Sequence, residues 1–175
     1  PGKAHPPSLL FSLLYEAGIT RLVTLDMHVE KSITEDKLKI FSLAPSQLFL
    51  EAIRVLEQKF LTEGARFVIV APDHGALTRA QSYASFFNVP LVFFTKVRTP
   101  DGHCSLKKMH GDVRYKHCII IDDIIDSGQT GRLVTQELLT AQAVSVRACI
   151  THALLTESTF HLLLDTGLVS LYTTD

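Results

Sequence analysis

Apolar positions along the chain gather into short runs set apart by polar punctuation. Residues 20–25 (TRLVTL), 66–71 (RFVIVA), 90–95 (PLVFFT), 117–121 (HCIII), 144–150 (VSVRACI) and 168–172 (LVSLY) are nearly continuous apolar stretches. Such runs are the pattern of strands buried on both faces. Between them, residues 7–18, 46–63, 76–88, 129–142 and 157–165 carry apolar residues at helical spacing. The first helix closes at Gly18; the second starts at a Ser46 N-cap and stops at Gly64. Strands alternating with helices predict an α/β fold, a parallel sheet flanked by helices.

Two stretches break the rhythm. Residues 29–45 are polar and irregular, and Pro45 marks the expected domain boundary. Residues 97–116 (VRTPDGHCSLKKMHGDVRYK) hold Pro100, Gly102 and Gly111 and are long for a connection. A functional lid or a disordered loop is expected there.

The composition is that of a globular chain: 175 residues, 46% hydrophobic and 20% charged. With 17 basic and 18 acidic residues the net charge is −1, so nothing points to nucleic acid or to a membrane surface. No apolar run approaches the roughly 18 residues of a membrane span, and residues 1–10 lack a signal-peptide pattern. Cys104, Cys118 and Cys149 cannot all pair, and reduced thiols in a cytoplasmic protein are the simplest reading. The start at Pro1 and the end at Asp175 give the chain the look of a trimmed piece.

Several buried runs end in conspicuous polar residues: Asp26 and His28; Asp73, His74 and Gly75; Asp122, Asp123 and Asp126. Lys96 and Arg98 follow a fourth strand. In an open α/β sheet, ligands bind at the carboxyl ends of strands. The segment 119–130, IIIDDIIDSGQT, is the most informative. An apolar strand runs into two adjacent carboxylates, and Ser127, Gly128, Gln129 and Thr130 open a helix whose first N–H groups and dipole favour a phosphate. Gly128 lets the backbone approach closely, and Ser127 and Thr130 add hydroxyl donors. Asp122 and Asp123 accept hydrogen bonds only, as paired ribose hydroxyls require. Asp126 and Ser127 also suit a helix cap, but capping alone does not call for two carboxylates at the end of a buried strand. The segment is thus expected to hold a phosphorylated ribose. His103, Cys104, His110, His117 and Cys118 match no compact zinc spacing.

IIIDDIIDSGQT resembles the phosphoribosyl-diphosphate motif of type I phosphoribosyltransferases. Around it, TRLVTLDMH, VIVAPDHGALTRA, FFTKVR and ACITHALL are similar, in order and spacing, to ribose-phosphate pyrophosphokinases. The resemblance covers essentially the whole chain and is most specific at residues 66–80 and 117–130. It implies a type I phosphoribosyltransferase-like domain over residues 46–175, preceded in residues 1–45 by the C-terminal part of a second, similar domain. It implies transfer of diphosphate from ATP to the 1-hydroxyl of ribose 5-phosphate, with Mg²⁺ as cofactor. Residues 127–130 would hold the 5-phosphate, with Asp126 in the same loop, and Asp122 and Asp123 the ribose hydroxyls. Asp73, His74 and Gly75 would form a diphosphate loop, and His28 and Asp73 would be Mg²⁺ ligands. Histidine is an unusual ligand for so hard a cation. Lys96 and Arg98 would stabilise the transferring phosphates, and Arg79 either assists or is simply exposed. The resemblance also implies a homo-oligomer, dimer or hexamer, to which residues 5–45 contribute.

The chain departs from that family at Ala76, which replaces a second glycine, a change that would either tighten the diphosphate loop or limit backbone approach to it. Val97 replaces an arginine, and residues 29–43 lack a glycine–phenylalanine–phenylalanine stretch. The segments that help seat adenine would precede Pro1. Two other readings compete. A base phosphoribosyltransferase would share residues 119–130 but not LDMH or APDHGALTRA, and would need a base-binding hood. A catalytically weak relative would bind or regulate a synthetase.

Overall fold

The computed structural model describes residues 6–27, 38–98 and 104–174. The chain divides into two compact units at the junction of Pro45 and Ser46.

In the first unit, helix α1 (Pro6–Glu16) is followed by strands β1 (Arg21–Leu25) and β2 (Lys39–Leu43), which pair in parallel. Gly18, at φ +91°, reverses the chain after α1, and the Ile19 N–H returns to the Leu14 carbonyl. β2 falls inside the stretch expected to be irregular. Its Lys-Ile-Phe-Ser-Leu alternation is a half-exposed strand pattern, hidden by the polar run before it.

The second unit holds helices α2 (Ser46–Thr62), α3 (Leu77–Phe87), α4 (Gln129–Thr140) and α5 (Glu157–Asp165). Its strands are β3 (Arg66–Ala71), β4 (Leu91–Arg98), β5 (Cys104–His110), β6 (Lys116–Ile125), β7 (Ser145–Ala153) and β8 (Leu168–Thr174). They form one six-stranded sheet in the order β5-β4-β3-β6-β7-β8. Every neighbouring pair is parallel except β4 with β5.

Alternation along the central strands sends side chains to two cores. Phe67, Ile69, Ala71, Ile119 and Ile121 pack with Phe49, Ile53 and Phe60 of α2 and Ala80 and Tyr83 of α3. Val68, Val70, Cys118, Ile120, Val146 and Ala148 pack on the other face with Val134 and Leu138 of α4 and Leu163 of α5. The parallel α/β sheet flanked by helices is therefore as expected, and its two-sided burial explains the unbroken apolar runs.

Three expectations are corrected. Residues 97–116 are not one irregular connection, because β5 pairs antiparallel with β4 from Phe93↔His110 to Arg98↔Cys104. Lys96 and Arg98 accordingly lie within β4 rather than after it, just past a register shift at Thr95/Lys96. Asp122 and Asp123 likewise lie within β6, whose pairing with β7 runs on to Ile125↔Ala153. The apolar run ends before the backbone ladder does.

Candidate functional site

The chain leaves β3 for β4 on one side and later returns to place β6 on the other side of β3. This reversal opens a crevice at the carboxyl ends of β3 and β6, where open α/β sheets take ligands. The register Val70↔Ile120 sets the end of β3 beside β6, with Asp73 in the turn after β3 and Asp123 farther along β6.

Three carboxylates converge there. Asp122 is pushed up to about 7, first by burial, then by the charge of Asp123, then by that of Asp73. Its Oδ1 accepts a hydrogen bond from the Asp123 N–H at 3.0 Å. Asp123 is buried, 5% exposed, and its Oδ2 lies 3.3 Å from Nη2 of Arg79 on α3. Sequence reasoning left Arg79 undecided between phosphate and solvent, because its partner lies 44 residues away.

The turn before α3 is built around Asp73. Its Oδ1 accepts from the Ala76 N–H at 3.2 Å, and a Cβ on Gly75 would stand 3.2 Å from that same oxygen. Gly75 and His74 are exposed. Ala76 stands at the end of this turn, immediately before α3. Its backbone is ordinary right-handed, φ −80° and ψ −7°, and its methyl is buried in the core with Ala71 and Ala80.

The loop after β6 leads through exposed Asp126 and Ser127 to Gly128, which caps α4 at φ +71°. The N-cap residue itself, a glycine, contributes no side-chain cap. The first-turn N–H groups of a helix have no intrahelical acceptor, and here they adjoin exposed Gln129 and half-buried Thr130. Gly128 is required twice over. A Cβ there would meet Thr159 Cγ2 of α5 at 2.9 Å, and L side chains rarely adopt its φ.

Asp26 closes β1 in the first unit, buried and at φ +42°. His28 lies outside the described residues, as do residues 29–37 and 99–103. Among the described residues no group of three or more His, Cys, Asp or Glu side chains is placed to hold a metal ion. Carboxylates such as Asp73 nonetheless have the hard oxygen chemistry of Mg²⁺, which takes few protein ligands and completes its shell with water and phosphate.

The histidines and cysteines weighed as a zinc set are otherwise engaged where described. His117 stacks on Phe60 at 4.0 Å and meets Ser145 Oγ through Nδ1 at 2.7 Å. His110 stacks on Phe93. Cys118 and Cys149 are free and buried, their thiols pushed up to about 12 by burial. A cavity of about 380 Å³, lined by residues including Phe60, Arg66, Phe67 and Pro90, lies at the amino ends of the strands. It is at the opposite end of the strands from the carboxylates.

Comparison with known proteins decides the family. A profile of the phosphoribosyl transferase domain matches residues 42–159. The chain belongs to the phosphoribosyl transferase domain family. This phosphoribosyl transferase domain is 36% identical over 149 residues to ribose-phosphate pyrophosphokinase 1 of Listeria monocytogenes, covering 84% of this chain and 45% of that protein. It is 34% identical over 147 residues to ribose-phosphate pyrophosphokinase 1 of Lactococcus lactis, covering 84% and 44%. The crystal structure of phosphoribosylpyrophosphate synthetase from Mycobacterium smegmatis superposes with a TM-score of 0.85 at 26% identity, over 100% of this chain and 55% of that one. The chain thus spans about half the length of the relatives it matches. Among the described residues, no helix is long and apolar enough to cross a membrane.

Proposed function

We propose that this chain is the ribose-5-phosphate-binding part of a ribose-phosphate diphosphokinase. The whole protein would transfer the β,γ-diphosphate of ATP to the 1-hydroxyl of ribose 5-phosphate, releasing AMP and supplying phosphoribosyl diphosphate for nucleotide biosynthesis. The observation that carries the reading is the pairing of carboxylates near the end of β6 with a glycine-opened helix start directly after it. Asp122 and Asp123 stand a few residues from Gly128, which opens α4. One end suits ribose hydroxyls and the other a phosphate.

In this reading Asp122 and Asp123 carry ribose recognition, and Asp126, Ser127, Gly128, Gln129 and Thr130 surround the 5-phosphate. Asp73, His74 and Gly75 receive the diphosphate. Lys96 and Arg98, on β4, neutralise charge on the transferring group, since such transfers depend mainly on positioning and electrostatics. Asp73 and His28 would hold Mg²⁺, which when bound neutralises phosphate charge. Residues 1–45 are the C-terminal part of a preceding similar domain, and residues 46–175 the phosphoribosyltransferase-like domain. The protein works in the cytoplasm as a dimer or hexamer.

The test is product analysis with the full-length protein, ATP, ribose 5-phosphate and Mg²⁺. AMP formation that requires ribose 5-phosphate, together with phosphoribosyl diphosphate, supports the reading. Diphosphate release from phosphoribosyl diphosphate and a base would replace it with a base phosphoribosyltransferase. Binding without turnover would replace it with a regulatory relative.

A further inference from the structure

The loop that the functional reading gives to the 5-phosphate is supported from beneath. Asp126, Ser127 and Gln129 are exposed, but Gly128 among them is buried. It is buried against α5. A Cβ on Gly128 would stand 2.9 Å from Thr159 Cγ2 and 3.7 Å from Cδ2 of both Leu162 and Leu163. Three residues on, a Cβ on Gly131 would stand 3.3 Å from Leu163 Cδ2 and from Ile125 Cδ1, the last residue of β6. Both glycines at the start of α4 therefore rest on one shelf, made by α5 and the end of β6.

The shelf is itself fixed. The Leu154 N–H donates to the Ile125 carbonyl at 2.8 Å, which ties the connection before α5 to the strand that carries the loop. Thr156 caps α5 by accepting from the Thr159 N–H at 3.2 Å, and the two threonine hydroxyls lie 2.9 Å apart. Thr159 carries its hydroxyl and its methyl on one Cβ, so a hydroxyl held toward Thr156 also fixes where the methyl goes. Thr159 is 7% exposed, and its methyl is the atom nearest to Gly128. Capping uses only the N–H at this position and does not call for a methyl. A phosphate, by contrast, is held well only when the groups around it keep their geometry to a fraction of an ångström.

We propose that Thr159 is a positioning residue of the 5-phosphate loop: its methyl, beneath Gly128, holds the left-handed turn that presents the start of α4 to the phosphate. This inference rests on the ribose 5-phosphate reading above.

The experiment measures ribose 5-phosphate binding by calorimetry, KM for each substrate and stability in urea, in the full-length wild-type protein and in Thr159→Ser, Thr159→Val and Ile53→Val. Thr159→Ser keeps the hydroxyl and removes the methyl; Thr159→Val keeps a methyl and removes the hydroxyl. Ile53→Val trims the fully buried Ile53 of α2, in the core on the other face of the sheet, and serves as the stability control. Thr159→Ser is expected to weaken ribose 5-phosphate binding about tenfold, as when the competent loop shape is populated about a tenth of the time, with KM for ATP within about threefold. Thr159→Val and Ile53→Val are expected to bind ribose 5-phosphate within about threefold of the wild type, because both leave the shelf in place. The opposite order, with affinity lost in Thr159→Val and kept in Thr159→Ser, would make the hydroxyl a direct ligand contact and overturn the proposal. Equal losses in Thr159→Ser and Ile53→Val would reduce the effect to general destabilisation and overturn it too. If Thr159→Val does not fold, Thr159→Ser against Ile53→Val still decides: wild-type affinity in Thr159→Ser contradicts the proposal. Wild-type protein that binds no ribose 5-phosphate refutes the functional reading itself, and this inference with it, before any variant is compared.

Discussion

Gly128 and Thr159 meet so closely that a Cβ built on Gly128 would stand 2.9 Å from Thr159 Cγ2. The start of α4 is thereby seated on α5, whose own first turn is fixed by Thr156 accepting from the Thr159 N–H. The shape of the loop before α4 thus depends on a helix about thirty residues downstream. Gly128→Ala adds both the contact and the strain of a left-handed backbone, worth about 1–2 kcal/mol for the latter alone. Urea denaturation should show a loss of about 2–3 kcal/mol. Adding Thr159→Ser, which removes Cγ2 and keeps the hydroxyl, should recover part of it. Full stability in Gly128→Ala would show that the turn is not held as described.

A second prediction concerns His117, remote from the crevice. Its pKa is held below the ordinary 6.5 by burial first and by Arg147 second, with Glu63 opposing. Nδ1 is engaged with Ser145, while Nε2 approaches Glu63 at 3.4 Å without a formed hydrogen bond. The folded state therefore resists a proton that the unfolded chain accepts. Above about pH 6.5 both states are neutral and nothing is lost; as pH falls below that value the unfolded state gains the proton first and stability drops. Unfolding free energies between pH 8 and pH 5.5 should fall more steeply in the wild type than in His117→Gln. Parallel curves would remove His117 as the cause.

Lys96 sits just after the register shift in β4. Lys96→Ala should lower kcat about 10²–10³-fold, as loss of one preorganised positive group does. Affinity for ribose 5-phosphate, measured by calorimetry, should stay within about threefold if the cation acts on the transferring group. An unchanged kcat would remove Lys96 from the catalytic role.

The legible parts of the molecule were those written in local pattern. β3, β6 and β7 are buried on both faces, so their apolar runs announced them. β5 was missed because an edge strand carrying Lys107, Lys108 and His110 is polar, and polarity is how edges avoid pairing with other chains. The strand limits around Asp122 and Asp123 were missed because a carboxylate inside a ladder and one just beyond it look alike by hydropathy. Arg79 with Asp123, His117 with Phe60 and Gly128 with Thr159 are contacts between distant segments, and one sequence carries no local sign of them.

The central claim is that residues 122–130 hold a phosphorylated ribose. The most direct measurement is a ¹H–¹⁵N titration of the full-length protein with ribose 5-phosphate, with inorganic phosphate as the comparison. The account predicts that ribose 5-phosphate shifts the amides of Ser127, Gly128, Gln129 and Thr130 most, with Asp122 and Asp123 also moving. Inorganic phosphate should shift the first group and leave the aspartates nearly still. Saturable shifts confined to another part of the sheet, or none at all, would contradict it.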